Sequence, residues 1–429
     1  MIELLPIFLI GIVSGIVIGL IPGLAIWTAV VVMLPFVNML EYWEVVIIWL
    51  GTAIGSQYFG SVSTLLFKIP GENSSLIFLD DVKNIPLNTR LDLIKSTAFG
   101  SFVASVVGFT VLYLFYSNSF DFFSYLSSFT VKAVVYSALF LMLVFSTPYR
   151  WTTAILFVAG VVISDKSDFS LPVVLLDIQD ITSDLTVFSL ILGVIIIPEI
   201  FSKQTINADF GRYRNTKPKF IPGSFRTMLK GSLVGTLGGL FPGQSATFSS
   251  VVGYNLEKKN KEHKIVCSES ADNSAIIVGL LPLLLIGIPI SLDTILMTNI
   301  LQEKLVTVPT DFVAPIVNNL NIFDLIIMFG LAFSLIFLVL SQKFLTLYYY
   351  VVRALYSRTR ILFVLIASWI AYIDHSNNPI GPYYLLFVVI ASIVGLWLHK
   401  KNINPTPLII GFILGDQIYW TIKYFIQTI

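Results

Sequence analysis

Four acidic residues, Glu72, Glu269, Asp272 and Asp293, stand in or beside long apolar runs. A charged side chain at the centre of a bilayer costs about 3 kcal/mol on insertion scales, so a working role is the first explanation to test. The chemistry open to such acids is cation coordination or proton carriage. Hydroxyl and amide side chains crowd the same places: Ser61, Ser63, Asn73, Ser74, Ser75, Gln244, Ser245, Thr247, Ser270, Asn273 and Thr294. Neutral donors suit a carboxylate ligand, because they hold an anion without trapping it by full charge pairing. The residues divide into two candidate sets. Pro22, Gly23, Asn73, Ser74, Ser75, Gly243, Gln244, Ser245, Thr247 and Asn273 form the substrate set. Ser61, Ser63, Glu72, Ser270, Asp293 and Thr294 form the ion-coupling set. Plainer roles stand beside these. Glu72 would cap a half-helix, and Lys68 would snorkel to the interface rather than meet an anion.

Each set clusters at an interruption. "GLIPGLAIWTAV" (residues 19–30) and "GLFPGQSATFSS" (residues 239–250) carry Pro22-Gly23 and Pro242-Gly243 inside oily sequence. Pro70 and Pro289 interrupt two further apolar stretches. Broken backbone is tolerated at membrane depth only where it is buried or lines a wet cavity. A break frees N–H groups at a helix start, and these attract anions.

The elements that must carry these breaks are membrane spans. The chain has 429 residues, of which 56% are hydrophobic and 12% charged, and its mean hydropathy is +0.87. A soluble protein carries about 25% charged residues. Apolar runs long enough to cross a bilayer recur from end to end. The net charge of +1 gives no bulk field for nucleic acid, and the single Cys267 excludes a disulfide framework or a cysteine metal cage. His263, His375 and His399 are scattered near span ends, and no metal cluster or other cofactor is expected. The N-terminus has no basic region of the signal-peptide kind and is taken as part of the first membrane element.

Lys and Arg mark cytoplasmic loops, here 203–220, 257–264, 357–360, 399–401 and the segment holding Lys83, Arg90 and Lys95. The stretch 345–360 is expected to be an interfacial amphipathic helix. Residues 3–41 and 230–257 each begin and end on one side, so each is expected to be a helical hairpin with its tip in the membrane. Gly15, Gly19, Leu20, Pro22 and Gly23 align with Gly235, Gly239, Leu240, Pro242 and Gly243 at a constant offset. Leu65–Ser75 and Leu283–Asp293 pair likewise.

The expected fold is therefore an all-α polytopic membrane protein with two inverted-topology repeats, about ten spans and two re-entrant or broken hairpins. The first repeat is 1–202, with a hairpin at 3–41 and a broken helix at 45–80. A cytoplasmic basic linker follows at 203–229. The second repeat is 230–429, with a hairpin at 230–257, a broken helix at 273–305 and spans to 428. Such repeats place sites where broken helices meet near the midplane.

Six motifs in order resemble the TctA family, the large membrane subunit of tripartite tricarboxylate transporters. They begin at Gly19 (GLIPGLAIWTAVVVMLP), Tyr58 (YFGSVSTLLFKIPGENSS), Asn84 (NIPLNTRLDLIKSTAFGSF), Arg226 (RTMLKGSLVGTLGGLFPGQSAT), Ser268 (SESADNSAIIVGLLPLLLIGIP) and Pro405 (PTPLIIGFILG). The resemblance implies ion-driven uptake of di- or tricarboxylates across a prokaryotic cytoplasmic membrane. It also implies a small four-span membrane subunit and an extracytoplasmic solute-binding protein as partners, with a homodimer as an allowed assembly. Departures from the family pattern are Ala25 and Ser245 where a second glycine is usual, Ile290 in place of glycine, and the acid at Asp293. Na⁺ is the expected coupling ion, since hydroxyl and amide oxygens outnumber acids around the breaks. A proton carried on Asp293 is the alternative. A channel or lipid-handling protein on the same repeat is a second reading of the chain, and an intramembrane enzyme with paired acids a third. No Walker motif is present, so ATP hydrolysis by this chain is not expected.

Overall fold

The computed structural model describes residues 4–19, 40–68, 73–118, 149–164, 187–201, 219–240, 245–286, 341–356, 384–401 and 405–428. It also describes isolated positions at 26 and within 133–144, 291–297, 330–335, 361–372 and 403. Among these residues every regular element is helical. Pro22, Gly23, Pro70, Glu72, Pro242, Gly243, Gln244, Pro289 and Asp293 lie outside the described residues.

The chain divides into two compact units. The first is 1–120, 205–287 and 296–359, and the second is 121–204, 288–295 and 360–429. In the first unit, α1 (Leu4–Gly19) packs on α2 (Tyr42–Phe67), and α3 (Leu79–Asn84) and α4 (Leu87–Asn118) follow. The helix α7 (Ser224–Gly238) turns back into α8 (Ser245–Leu256), and α9 (Lys261–Val278) runs on into α10 (Leu280–Ile286). The α11 helix (Gln342–Tyr356) lies against α2 through aromatic side chains: Phe59 meets Phe344 edge-on, and Phe67 meets Tyr348 and Tyr349. Thus Leu345, Tyr348, Tyr349 and Val352 are buried while Leu347 and Tyr350 are exposed. That is an amphipathic helix whose ordered face meets protein.

Two helix pairs are built alike. Gly11, Gly15 and Gly19 of α1 meet Ile48, Thr52 and Ser56 of α2, so the two helices run parallel. Gly231, Gly235 and Gly239 meet Cys267, Ala271 and Ala275 on α9, again in parallel. The glycines differ by 220 residues between the pairs and their partners by 219. Small residues let the backbones approach closely, the main device of helix association in a membrane. The outer faces match too. Leu9, Val13 and Val17 are exposed on α1, and Leu229, Leu233 and Leu237 are exposed on α7, also 220 apart. Meanwhile the interior helix α9 buries a run of polar residues. Apolar residues outside and polar residues inside are the arrangement a bilayer demands, since lipid rewards the first and expels the second. Among the described residues two helices, Glu44–Phe67 and Leu87–Leu112, are long and apolar enough to cross a membrane on their own.

Local sequence sets the helix ends. The Glu41 N–H donates to Glu44 Oε2 at 2.7 Å, closing the first turn of α2. At its far end Lys68 takes a left-handed φ of 58°. Arg90 of α4 donates from Nη1 to the carbonyls of Leu65 and Leu66 at 3.1 and 3.0 Å, satisfying the last turn. A buried cation at a helix C-terminus also complements its dipole. The hairpin α7–α8 closes at its open end, where Lys230 Nζ donates to the Leu256 carbonyl at 2.6 Å and lies 3.6 Å from Glu257.

Two boundaries differ from the sequence reading. The linker placed at 203–229 gives way to α7 already at Ser224, because Gly223 with φ 73° turns the chain into the helix. Asn273, taken as the start of a broken helix, lies inside α9. That helix is capped at Asn260, whose Oδ1 accepts the His263 N–H at 3.2 Å.

In the second unit, α5 (Arg150–Ile163) packs in parallel on α13 (Thr406–Thr428) through Gly160, Gly411 and Gly415. The α6 helix (Val187–Ile191, continued by Ile197–Phe201) contains a π-helical turn, Leu192–Ile196. There Gly193 meets Ala391 of α12 (Tyr384–Lys400).

Candidate functional site

Helix α9 is the centre of the first unit. Every residue from Cys267 to Ala275 on it is buried, and six of these nine are Ser, Glu, Asp or Asn. A buried polar group without a partner is costly, so the neighbours matter. The Asn273 side chain donates to Ser101 Oγ on α4 at 2.6 Å. Gln57 on α2 donates from Nε2 to the Asn273 carbonyl at 3.0 Å. The Ser268 hydroxyl donates to the Ser250 carbonyl on α8 at 3.1 Å, and the two hydroxyls lie 2.5 Å apart. Ser250 Oγ also reaches the Ser74 carbonyl at 3.4 Å, in the 3-10 turn Asn73–Ile77 that follows the end of α2. Ser274 pairs with Thr236 of α7 at 3.1 Å. Polar groups from four elements, α2, α4, α7 and α8, thus converge on one helix.

The direction of travel is informative. Going forward along the chain, Gln57 meets Asn273, Ser74 meets the Ser250–Ser268 pair, and Asp81 meets Lys261. The segment from α2 to α3 therefore runs antiparallel to α9. In contrast, Gly100, Ser101 and Gly108 of α4 meet Ser270, Asn273 and Ile277, so α4 runs parallel to it.

At one end of this core sits an ionic cluster. Asp81 accepts from Lys261 Nζ at 2.7 Å and from the Tyr254 hydroxyl, and Lys264 lies over the Tyr254 ring at 5.2 Å. Partial burial pushes the Asp81 carboxyl up. The hydrogen bonds from Lys261 and Tyr254 and the charges of Lys261 and Lys264 outweigh it, holding Asp81 below its ordinary value. The cluster ties α3 to α8 and α9.

The candidate residues from the sequence fall as follows. Ser74 and Ser75 are buried in the 3-10 turn that begins at Asn73, and the Ser74 carbonyl accepts from Ser250 Oγ. Asn273 and Ser270 are buried on α9, Ser270 against Gly100. Ser61 and Ser63 are buried on α2, with Ser63 donating to the Gly60 carbonyl at 2.8 Å. Ser245 is buried at the first turn of α8 and Thr247 is half-buried beside it. Thr294 belongs to the second unit, where its hydroxyl bonds Ser291 at 2.9 Å. Sequence reasoning passed over Gln57, Ser101, Ser250, Ser268 and Asp81. A lone amide in the apolar run of α2 was the one available signal for Gln57. A cavity of about 610 Å³ in the second unit is lined by Tyr136, Phe140, Phe157, Val161, Ile418 and Tyr419 among others. Its wall is apolar and holds no charged side chain among the described residues, so it does not suit a carboxylate.

In the first unit, apolar outer helix faces around the polar helix α9 fit a membrane protein, the class to which transporters belong. The chain belongs to the tripartite tricarboxylate transporter TctA family, whose family model matches residues 5–410. Among similar proteins is an uncharacterized 52.8 kDa protein in the TAR-I ttuC' 3' region of Agrobacterium vitis. It is 24% identical over 436 residues, covering 95% of this chain and 84% of the relative. An uncharacterized protein in the TAR-II ttuC' 3' region of the same organism is 26% identical over 193 residues, covering 42% of this chain and 76% of the relative. No solved structure matches the chain.

Proposed function

We propose that the chain is the permease subunit of an ion-coupled uptake system for small di- or tricarboxylates, working by alternating access in a prokaryotic cytoplasmic membrane. In this reading a solute-binding protein delivers the substrate and a small four-span subunit completes the complex. The observation that carries it is α9: a helix buried with its polar residues, served by polar groups from α2, α4, α7 and α8, with the 3-10 turn joined to it through Ser250. A packed scaffold has no need of so many buried polar groups, whereas a path for a carboxylate and its ion does. The two pairs α1–α2 and α7–α9, alike in glycine spacing and opposite in direction, support an inverted-repeat architecture.

The substrate site is proposed beside α9, where the first turn of α8 at Ser245 and the 3-10 turn at Asn73 lie, and Pro22, Gly23, Gly243 and Gln244 are proposed to belong to it on their sequence motifs. The helix starts at Asn73 and Ser245 offer N–H groups, and Ser74, Ser75, Thr247 and Asn273 offer neutral donors. Na⁺ is the proposed coupling ion, with a proton on Asp293 as the alternative. Uptake of radiolabelled citrate and succinate into proteoliposomes tests the reading. Ser245→Leu and Thr247→Leu are expected to abolish accumulation while leaving the protein folded. Near-normal uptake by both removes these residues from the site. Equilibration without accumulation indicates a channel, and conversion of the carboxylate indicates an enzyme.

A further inference from the structure

One end of the first unit gathers positive charge around the start of α7. The stretch 219–223, just ahead of that helix, is held by three contacts. The Lys219 N–H donates to Asp92 Oδ1 at 2.5 Å, the Ile221 N–H to Ser96 Oγ at 3.1 Å, and His263 Nε2 to the Pro222 carbonyl at 3.1 Å. The stretch is thereby fixed between α4 and the first turn of α9. Lys95 Nζ lies 4.3 Å from the centre of the Phe220 ring, a cation–π contact. Lys259 Nζ would lie 3.8 Å from a methyl group placed at Gly223. Lys219, Lys259 and Arg226 are exposed, Arg226 in the first turn of α7. Among the described residues no ion pair joins Lys95, Lys219, Arg226 or Lys259 to an acid. Two nearby carboxylates are engaged by other groups: Asp92 accepts the Lys219 N–H, and Glu257 takes Lys230 at 3.6 Å and the Lys259 N–H at 3.1 Å.

Exposed apolar side chains begin at the same place. Phe220 and Phe225 are about half exposed, at 47% and 54%. From Phe225 the outer face of α7 continues through Leu229, Leu233 and Leu237, the last 67% exposed. Steps of four residues stay on one face of a helix. At 1.5 Å per residue the row from 225 to 237 is about 18 Å long, close to half of the roughly 30 Å hydrocarbon core of a bilayer. The matching row on α1, Leu9, Val13 and Val17, lies on a helix without Lys or Arg, the first in the chain being Lys68. A cationic end joined to an apolar row of one leaflet's depth has the outline of a phospholipid.

We propose that this surface binds an anionic phospholipid, with its phosphate among Lys219, Arg226 and Lys259 and an acyl chain along Leu229, Leu233 and Leu237. Arginine meets phosphate through two parallel N–H bonds, and lysine adds point charge. Lys95 reinforces the field from behind Phe220, while Phe220 and Phe225 enter the boundary between headgroups and acyl chains. Basic clusters beside membrane helices recognise anionic headgroups in this way, and Phe and Leu secure the apolar side. A free anion makes no use of the apolar row. A lipid held here fixes the start of α7, whose glycines pack on α9.

Native mass spectrometry of the purified full chain, titrated in detergent with phosphatidylglycerol or phosphatidylcholine, tests the site independently of transport. Phosphatidylglycerol is expected to bind at least tenfold more tightly, and added salt to narrow the difference. Arg226→Gln/Lys259→Gln is expected to weaken phosphatidylglycerol about twenty-five-fold, at about fivefold per cation, and to leave phosphatidylcholine unchanged. The control Lys400→Gln/Lys401→Gln removes as much exposed charge from the second unit and is expected to bind like the wild type. Excess glycerol phosphate, a headgroup without chains, is expected to leave the lipid bound. Size-exclusion profiles establish that each variant is folded, and Lys259→Gln alone, at an exposed position between helices, serves if the double change prevents folding. Equal affinity for the two lipids, unchanged phosphatidylglycerol affinity in the folded variants, or an equal loss in the control overturns the site. Displacement of the lipid by glycerol phosphate overturns the lipid assignment in favour of a free anion.

Discussion

Gly235→Ala tests the reasoning at its most mechanical point, the closeness of α7 and α9. A methyl group at Gly235 would fall on the Ala271 carbonyl oxygen and lie 2.9 Å from both the Ala271 carbonyl carbon and Ser274 Cβ. Carbon atoms prefer separations of about 3.5–4.0 Å, so α9 would have to retreat by roughly 1 Å. Two effects oppose each other. Alanine gains about 0.8–1.0 kcal/mol of helix propensity over glycine. Overpacking costs about 1–3 kcal/mol, and here the obstacle is backbone, which has no rotamer in which to move aside. The clash should win, with a net destabilisation of about 1–2 kcal/mol. Thermal unfolding followed by fluorescence-detected size exclusion reads this as a lower midpoint. Gly15→Ala, whose methyl would fall on the Thr52 carbonyl, is expected to lose a similar amount. Gly330→Ala, where nothing among the described residues lies within 4 Å, is expected to hold or gain stability. A Gly235→Ala protein as stable as the wild type would refute the close parallel packing.

Two further outcomes follow from the polar contacts. Asp81→Asn is expected to cost about 1–2 kcal/mol at neutral pH, through loss of a partly exposed ion pair and a charge-assisted hydrogen bond. Since the folded carboxyl is held below its ordinary value, this stabilisation is full above the unfolded value of about 3.9 and decays as pH falls through the folded one. A wild-type advantage that instead faded between pH 8 and 6 would count against Asp81 as its source. Arg90→Leu leaves the Leu65 and Leu66 carbonyls without their donor. About 2–4 kcal/mol should be lost, given roughly 1.5–3 kcal/mol for a charged hydrogen bond, and hydrogen exchange should rise in the last turn of α2; unchanged exchange there would remove Arg90 as its cap.

The sequence determined what is local or periodic. A proline lacks an N–H and so marks a candidate break in an apolar run, although Pro198 is carried inside α6, just after its π-helical turn. Charge placed in oily sequence, as at Glu269 and Asp272, is legible without any fold. The glycine spacing shared by Gly15–Gly19 and Gly235–Gly239 pointed to two related helix pairs, because helix faces recur every 3.6 residues. Tertiary structure alone decided which faces meet. Nothing in the residues around Gln57 names Asn273, 216 positions away, as its acceptor, nor does the 3-10 turn at Ser74 name Ser250. Arg90 read as a cytoplasmic loop charge, yet it is buried as the cap of α2. The cause is the range of the forces. A hydrogen bond acts over about 3 Å and only along set directions, so its partner is chosen by how helices cross, and that crossing is settled by packing over the whole unit.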